Sequence, residues 1–164
     1  MKLAYCTLNG RNQHRTGREL LRNLYLEETG NEPPAIRLTK TGYPYFPDSP
    51  YYFSISHTSR HVFCVLSTQR VGIDAEELDR IVRPSLPSKV LSPSELEQYT
   101  RAADRQRAFL TFWVLKEAQA KCRGTGLRGF PNRTGFSLDD PRVTEIDGCV
   151  VAIIEEPEGE QHAL

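Results

Sequence analysis

Asp74 and Glu76 stand two apart in Gly72-Ile73-Asp74-Ala75-Glu76. On an extended backbone, side chains two apart share a face. Carboxylates so placed repel unless positive charge sits between them, and a hard cation such as Mg²⁺, which takes oxygen ligands, supplies it. An isolated Asp-x-Glu is more often just the polar end of a strand. A second set lies on Phe112-Trp113-Val114-Leu115-Lys116-Glu117-Ala118-Gln119-Ala120-Lys121. Trp113, Glu117 and Lys121 recur at intervals of four and stack along one side of a helix, with Phe109, Phe112 and Lys116 on the adjoining side. Alone, the Glu and Lys would be a solvated helical pair contributing about 0.2–0.5 kcal/mol. Flanking an aromatic stripe, they sit at the margin of a buried face, and Glu117 could complete a metal site with Asp74 and Glu76.

Phe53-Ser54-Ile55-Ser56-His57-Thr58 puts a histidine between hydroxyls where a strand ends. Such a corner can grip phosphate with side-chain and backbone donors, or it can be a hydrogen-bonded turn. A Ser-His-Asp hydrolase is the weaker reading, because no Gly-x-Ser-x-Gly elbow is present. Arg11, His14, Arg15, Arg18 and Arg22 gather at the start of the first helix with Glu19 opposed. A basic helix N-terminus is an anion site in waiting, or a solvated face.

The elements that must carry these groups follow from pattern. Strands are expected over 2–8, 36–38, 51–55, 62–67, 71–74, 136–138, 143–146 and 149–154. A helix is expected over 12–29, stopped by Gly30. Another starts at Ser92-Pro93-Ser94-Glu95, a cap, a first-turn proline and a glutamate three on. Asp104 should cap a helix over 105–122 that ends at Gly124. Ser56 to Ser59 is expected as a polar corner, and the acidic tail from Glu155 to Leu164 as frayed. The order of elements predicts an α+β fold of two similar halves, residues 1–69 and 70–164.

At 164 residues the chain is one domain by size and long enough to bury its own core. Lys+Arg and Asp+Glu are 21 each, so net charge is 0. That argues against a nucleic-acid partner, whose footprint is a basic excess, and makes any anion site local. No run of 18 apolar residues exists to span a membrane. Cys6, Cys64, Cys122 and Cys149 show no metal or redox spacing, so reduced thiols and a cytoplasmic location are expected.

Read together, these segments resemble the 4′-phosphopantetheinyl transferases. The markers fall in family order: His14-Arg15-Thr16; Gly42-Tyr43-Pro44-Tyr45-Phe46; Phe53-Ser54-Ile55-Ser56-His57; Gly72-Ile73-Asp74-Ala75-Glu76; Trp113 to Lys121; and Gly124-Thr125-Gly126-Leu127. The Gly-Ile-Asp-x-Glu and Trp-x-x-Lys-Glu-Ala-x-x-Lys pair is specific, and its form resembles the type that activates surfactin synthetase and related synthases. The resemblance implies the family's fold, two α+β halves packed as a pseudo-dimer with the active site between them. It implies Mg²⁺-dependent transfer of 4′-phosphopantetheine from coenzyme A to a serine of an apo acyl or peptidyl carrier protein, with adenosine 3′,5′-bisphosphate released. Metal ligands would be Asp74, Glu76 and Glu117, with Glu117 also the general base. Lys121 would contact the pyrophosphate. Ser56, His57, Arg15 and Lys116 would hold coenzyme A. Relatives carry Gly-Lys-Pro where this chain has Gly42-Tyr43-Pro44, so Lys40 would have to replace the missing cation. The resemblance also implies a shortened member, lacking the relatives' leading helix. A Mg²⁺-dependent phosphoesterase or nuclease and a non-catalytic coenzyme A or carrier-protein binding module are the alternatives.

Overall fold

The computed structural model describes residues 1–126 and 135–157. Leu127 and the last seven residues of the expected tail lie outside them. The fold is α+β, and it is built twice over from one recipe: a three-stranded antiparallel sheet carrying one long helix.

The first sheet has the order β1-β5-β4, from Lys2–Thr7, His61–Ser67 and Tyr52–His57. Helix α1, Gln13–Thr29, lies on it. Asn12 starts α1 by accepting the Arg15 N–H at 3.0 Å, and Gly30 ends it in the left-handed region at φ 73°. Leu21, Leu24 and Tyr25 of α1 pack on Phe53, Cys64 and Leu66. Gly17 fits the helix interior for a packing reason: a Cβ there would come within 2.9 Å of Ile55 Cγ2. A two-stranded ribbon, β2 (Arg37–Leu38) and β3 (Pro44–Tyr45), fills the connection to β4; β3 carries no period long enough to read from sequence.

The second sheet has the order β6-β8-β7, from Arg70–Glu77, Cys149–Glu156 and Val143–Ile146. One turn of helix, α2 (Pro87–Val90), precedes α3 (Pro93–Arg101) and α4 (Arg105–Arg123). The capping box at Ser92 and Glu95 and the Asp104 cap form as expected. Helix α4 buries Phe109, Phe112, Leu115 and Ala118 against Val150, Ala152 and Ile154. It approaches β6 so closely that a Cβ on Gly72 would lie 2.0 Å from the Ala118 carbonyl oxygen. Only glycine permits that contact, and it sets Asp74, two residues on, beneath the helix.

Both faces of β5 are buried. Phe63 and Val65 point away from α1 and meet Val71, Ile73, Ala75, Cys149 and Val151 of the second sheet. Strands β4 and β6 meet through side chains: Ser54 Oγ accepts the Ile73 N–H and Ser56 Oγ accepts the Ala75 N–H, both at 3.1 Å. Two serines thus satisfy edge amides that a ladder partner would otherwise take.

Three expectations are corrected. Residues 136–138 form no strand. The Phe136 N–H bonds to Glu95 Oε1 at 3.0 Å and the Leu138 N–H to Gln98 Oε1 at 3.1 Å, so side chains of α3 satisfy this backbone. Ser56 and His57 belong to β4 rather than to a corner, paired with Phe63 and Val62. Glu155 and Glu156 are not frayed but complete β8 opposite Val71 and Arg70. Among the described residues, no helix is long and apolar enough to cross a membrane.

Candidate active site

Alternation along β6 sends Asp74 and Glu76 to the α4 face and Ile73, Ala75 and Glu77 to the core between the sheets. Asp74 is 7% exposed. Its Oδ1 accepts from Lys121 Nζ at 2.7 Å and from Ser56 Oγ at 3.1 Å. Lys121 also donates to the Ile73 carbonyl at 3.0 Å. Glu76 forms an ion pair with Arg80 and accepts from the Trp113 indole, and the Arg80 guanidinium lies 5.6 Å from the Trp113 ring centroid.

Glu117 feels this arrangement most. Burial first, then the charges of Asp74 and Glu76, push its carboxyl up to about 7, against the pull of Lys121 and Arg80. Burial likewise raises Asp74 and Glu76, with Lys121 and Arg80 opposing. Three carboxylates therefore share a pocket margin with two cations. That oxygen-only, acid-excess donor set suits a hard divalent ion, so the residues fit Mg²⁺. Their oxygens do not all three lie within 4.8 Å of one another; Lys121 holds Asp74 and Arg80 holds Glu76.

His57, at the end of β4 in the first sheet, meets this cluster. Burial, then the charges of His14 and Lys121, hold its imidazole below the usual range. Its ring stands edge-on to His14 of α1, with centroids 5.4 Å apart. From there His14, Arg15, Arg18, Glu19 and Arg22 line an open cavity of about 530 Å³ along α1. Arg15 is exposed and pairs with Glu19 at 3.1 Å.

Three of the residues expected to hold coenzyme A have these surroundings. Lys116 is 4% exposed and pairs at 2.8 Å with fully buried Glu95 of α3. One residue before Glu117, it turns about 100° away around the helix, toward α3. Ser56 is buried, and its hydroxyl donates to Asp74 and accepts the Ala75 N–H, so it orients the carboxylate. Lys40 is exposed in the turn between β2 and β3. Tyr43 packs its ring against Gly124, its hydroxyl 3.5 Å from the Val71 carbonyl.

Arg80 and Ser54 are the groups that sequence reasoning missed. Arg80 lies beyond the strand end, where no period predicts that it folds back over Trp113. Ser54 had a signal, its spacing of two from Ser56.

Comparison with known proteins identifies the family. A family model, the 4′-phosphopantetheinyl transferase superfamily, matches residues 70–158. A 4′-phosphopantetheinyl transferase of Bacillus subtilis is 30% identical over 70% of this chain and 54% of its own length. The 4′-phosphopantetheinyl transferase HetI of Nostoc sp. (strain PCC 7120) is 30% identical over 71% of this chain and 54% of its own. Sfp of Bacillus subtilis strain 168, another 4′-phosphopantetheinyl transferase, is 31% identical over 70% and 54%. The chain spans about half the length of the curated relatives it matches. The family-model match covers more than half of the chain, including Asp74, Glu76, Glu117 and Lys121, and the chain belongs to the 4′-phosphopantetheinyl transferase superfamily.

Proposed function

We propose that this protein transfers 4′-phosphopantetheine from coenzyme A to a serine of an apo acyl or peptidyl carrier protein. The observation that carries the reading is the meeting of Asp74, Glu76, Glu117 and Lys121, from one strand and one helix, beside His57 of the other sheet. Asp74, Glu76 and Glu117 would hold Mg²⁺, which neutralises pyrophosphate charge and polarises phosphorus.

Lys121 lies at the carboxylate margin with its ammonium shared between Asp74 and the Ile73 carbonyl. It orients Asp74 and faces the negative charge that develops on the leaving side. His57 and the α1 cations Arg15 and Arg18 line the way to the nucleotide phosphates. Glu117 accepts the serine proton, directly or through a water. A carboxyl brought near neutral pH can hold that proton and release it again. The serine oxygen forms the new bond to phosphorus, the pyrophosphate P–O bond breaks, and adenosine 3′,5′-bisphosphate leaves with the electron pair. Ser56 and Arg80 keep Asp74 and Glu76 in place.

The finer assignment, to the type that activates surfactin synthetase and similar synthases, rests on the Trp113 to Lys121 motif. Two duplicated halves, residues 1–69 and 70–164, and a cytoplasmic location belong to the same reading. Incubation with coenzyme A, Mg²⁺ and apo carrier protein, followed by chromatography of the nucleotide, tests it. Adenosine 3′,5′-bisphosphate should appear only when the carrier is present, and not with Asp74→Ala. Release without carrier would make the protein a phosphoesterase. Binding of coenzyme A with no release would make it a binding module.

A further inference from the structure

On the opposite face of β6, at the end of the core between the sheets, His61 of β5, Glu77 of β6 and Cys149 of β8 converge. All three are buried. His61 Nδ1 lies 3.1 Å from Glu77 Oε1, and Cys149 Sγ lies 3.4 Å from His61 Nδ1 and 3.5 Å from Glu77 Oε2. Among the described residues they are the one trio of His, Cys, Asp or Glu ligand atoms that all fall within 4.8 Å of one another.

We infer that His61, Glu77 and Cys149 form a second cation site, separate from the carboxylates on the α4 face and selective for a soft divalent ion of the zinc class. The separations are close to what such an ion needs, with one Glu77 oxygen facing His61 and the other facing Cys149. Bonds of about 2.0–2.1 Å to nitrogen or oxygen and 2.3 Å to sulfur, set tetrahedrally, place neighbouring ligand atoms roughly 3.3–3.6 Å apart. The same three contacts serve as hydrogen bonds while the thiol keeps its proton. Binding exchanges that proton, released to solvent, for the ion, leaving one thiolate, one carboxylate and a neutral imidazole. Their two negative charges balance a divalent ion, which is what a buried site requires.

Sulfur and imidazole select zinc over Mg²⁺, so the two faces of β6 sort two metals by chemistry. Arg60 now donates to Glu77 Oε2 at 2.7 Å, but it also holds Asp79 through both of its terminal nitrogens at 2.9 Å. It can yield the Glu77 oxygen and keep a partner. Thr58, whose hydroxyl donates to Glu77 Oε1, offers an oxygen as a fourth ligand. An ion here ties β5 of the first sheet to β6 and β8 of the second.

Titration of the chelator-washed protein with Co²⁺, followed by absorption, tests the site. One Co²⁺ per chain should bind with a thiolate-to-cobalt charge-transfer band and visible bands of tetrahedral intensity. Zn²⁺ should displace it, and a large excess of Mg²⁺ should not. Asp74→Ala should keep the spectrum, while Cys149→Ser should lose the charge-transfer band and His61→Gln should weaken Co²⁺ binding at least tenfold. Folded wild-type protein with no thiolate band would overturn the proposal, whatever the variants do. So would a band that survives in Cys149→Ser, which would assign it to another cysteine.

Discussion

Replacing Glu117 by glutamine should stabilise the fold at pH 8 while removing transfer. The Glu117 carboxyl is pushed up to about 7 in the folded protein, from 4.5 in the open chain. A carboxylate with a raised folded value costs stability above that value, because the native state is the worse home for the charge. Between pH 4.5 and 7 the folded state holds the proton more tightly, so stability drains away as pH rises. Below pH 4.5 both states are protonated and the penalty vanishes. At about 1.4 kcal/mol for each pH unit, the full penalty at pH 8 is on the order of 3 kcal/mol, and part of it is screened at this half-buried site. Glutamine has the shape of the acid without the charge. For a chain of this length, a gain of about 2–3 kcal/mol raises Tm by roughly 4–12 °C. Thermal unfolding in chelator should therefore show Glu117→Gln well above the wild type at pH 8 and close to it at pH 4. Added Mg²⁺ should raise the wild type more than the variant, because the ion offsets both the burial of the charge and its repulsion by Asp74 and Glu76. If Glu117→Gln is no more stable than wild type at pH 8, Glu117 is not held in a buried, acid-crowded place and the argument for a shared cation fails.

Glu77 should behave in the opposite sense. Burial pushes its carboxyl up, but Thr58, Arg60, His61 and Cys149 more than reverse this, to about 2. A lowered folded value gives stability that is complete above pH 4.5 and lost as pH falls toward 2, about 3 kcal/mol in all. Acid unfolding of Glu77→Gln in chelator should lose that dependence, and an unchanged acid limb would refute it. Lys116→Met should cost about 3–5 kcal/mol by stranding buried Glu95, read from denaturant midpoints. The KM for coenzyme A should stay unchanged in the folded fraction, and a KM rise would return Lys116 to the ligand. Ser56→Ala should cost about 1–3 kcal/mol by stranding the Ala75 N–H. It should lower kcat more than it raises KM for coenzyme A, and the reverse would restore a phosphate role.

Local chemistry made much of this fold legible. Ser92 with Glu95, Asp104, Gly30 and Gly124 mark helix ends because unpaired backbone groups at those ends need a short acceptor or a left-handed residue. The α4 spacing placed Glu117 and Lys121 on one side for the same kind of reason. Contacts between distant segments were not legible. Glu95 accepts from Phe136, 41 residues away, so residues 136–138 lost the ladder that their apolar ends suggested. Lys116 differs from Glu117 by one helical step. The spacing did not reveal that its side would meet Glu95 rather than the cleft, because that depends on where α3 lies. The two serines of β4 illustrate the same limit. Their alternation was visible, but the β6 amides that they serve belong to the other sheet.

The central claim is most directly tested by the intact mass of a carrier protein. Apo carrier incubated with this protein, coenzyme A and Mg²⁺ should gain one phosphopantetheine mass, localised by fragmentation to a serine. Glu117→Gln, folded and more stable at pH 8, should leave the carrier unmodified. A carrier that stays at its apo mass with the wild type, across a panel of acyl and peptidyl carriers, would contradict the account. So would one that Glu117→Gln modifies at the wild-type rate.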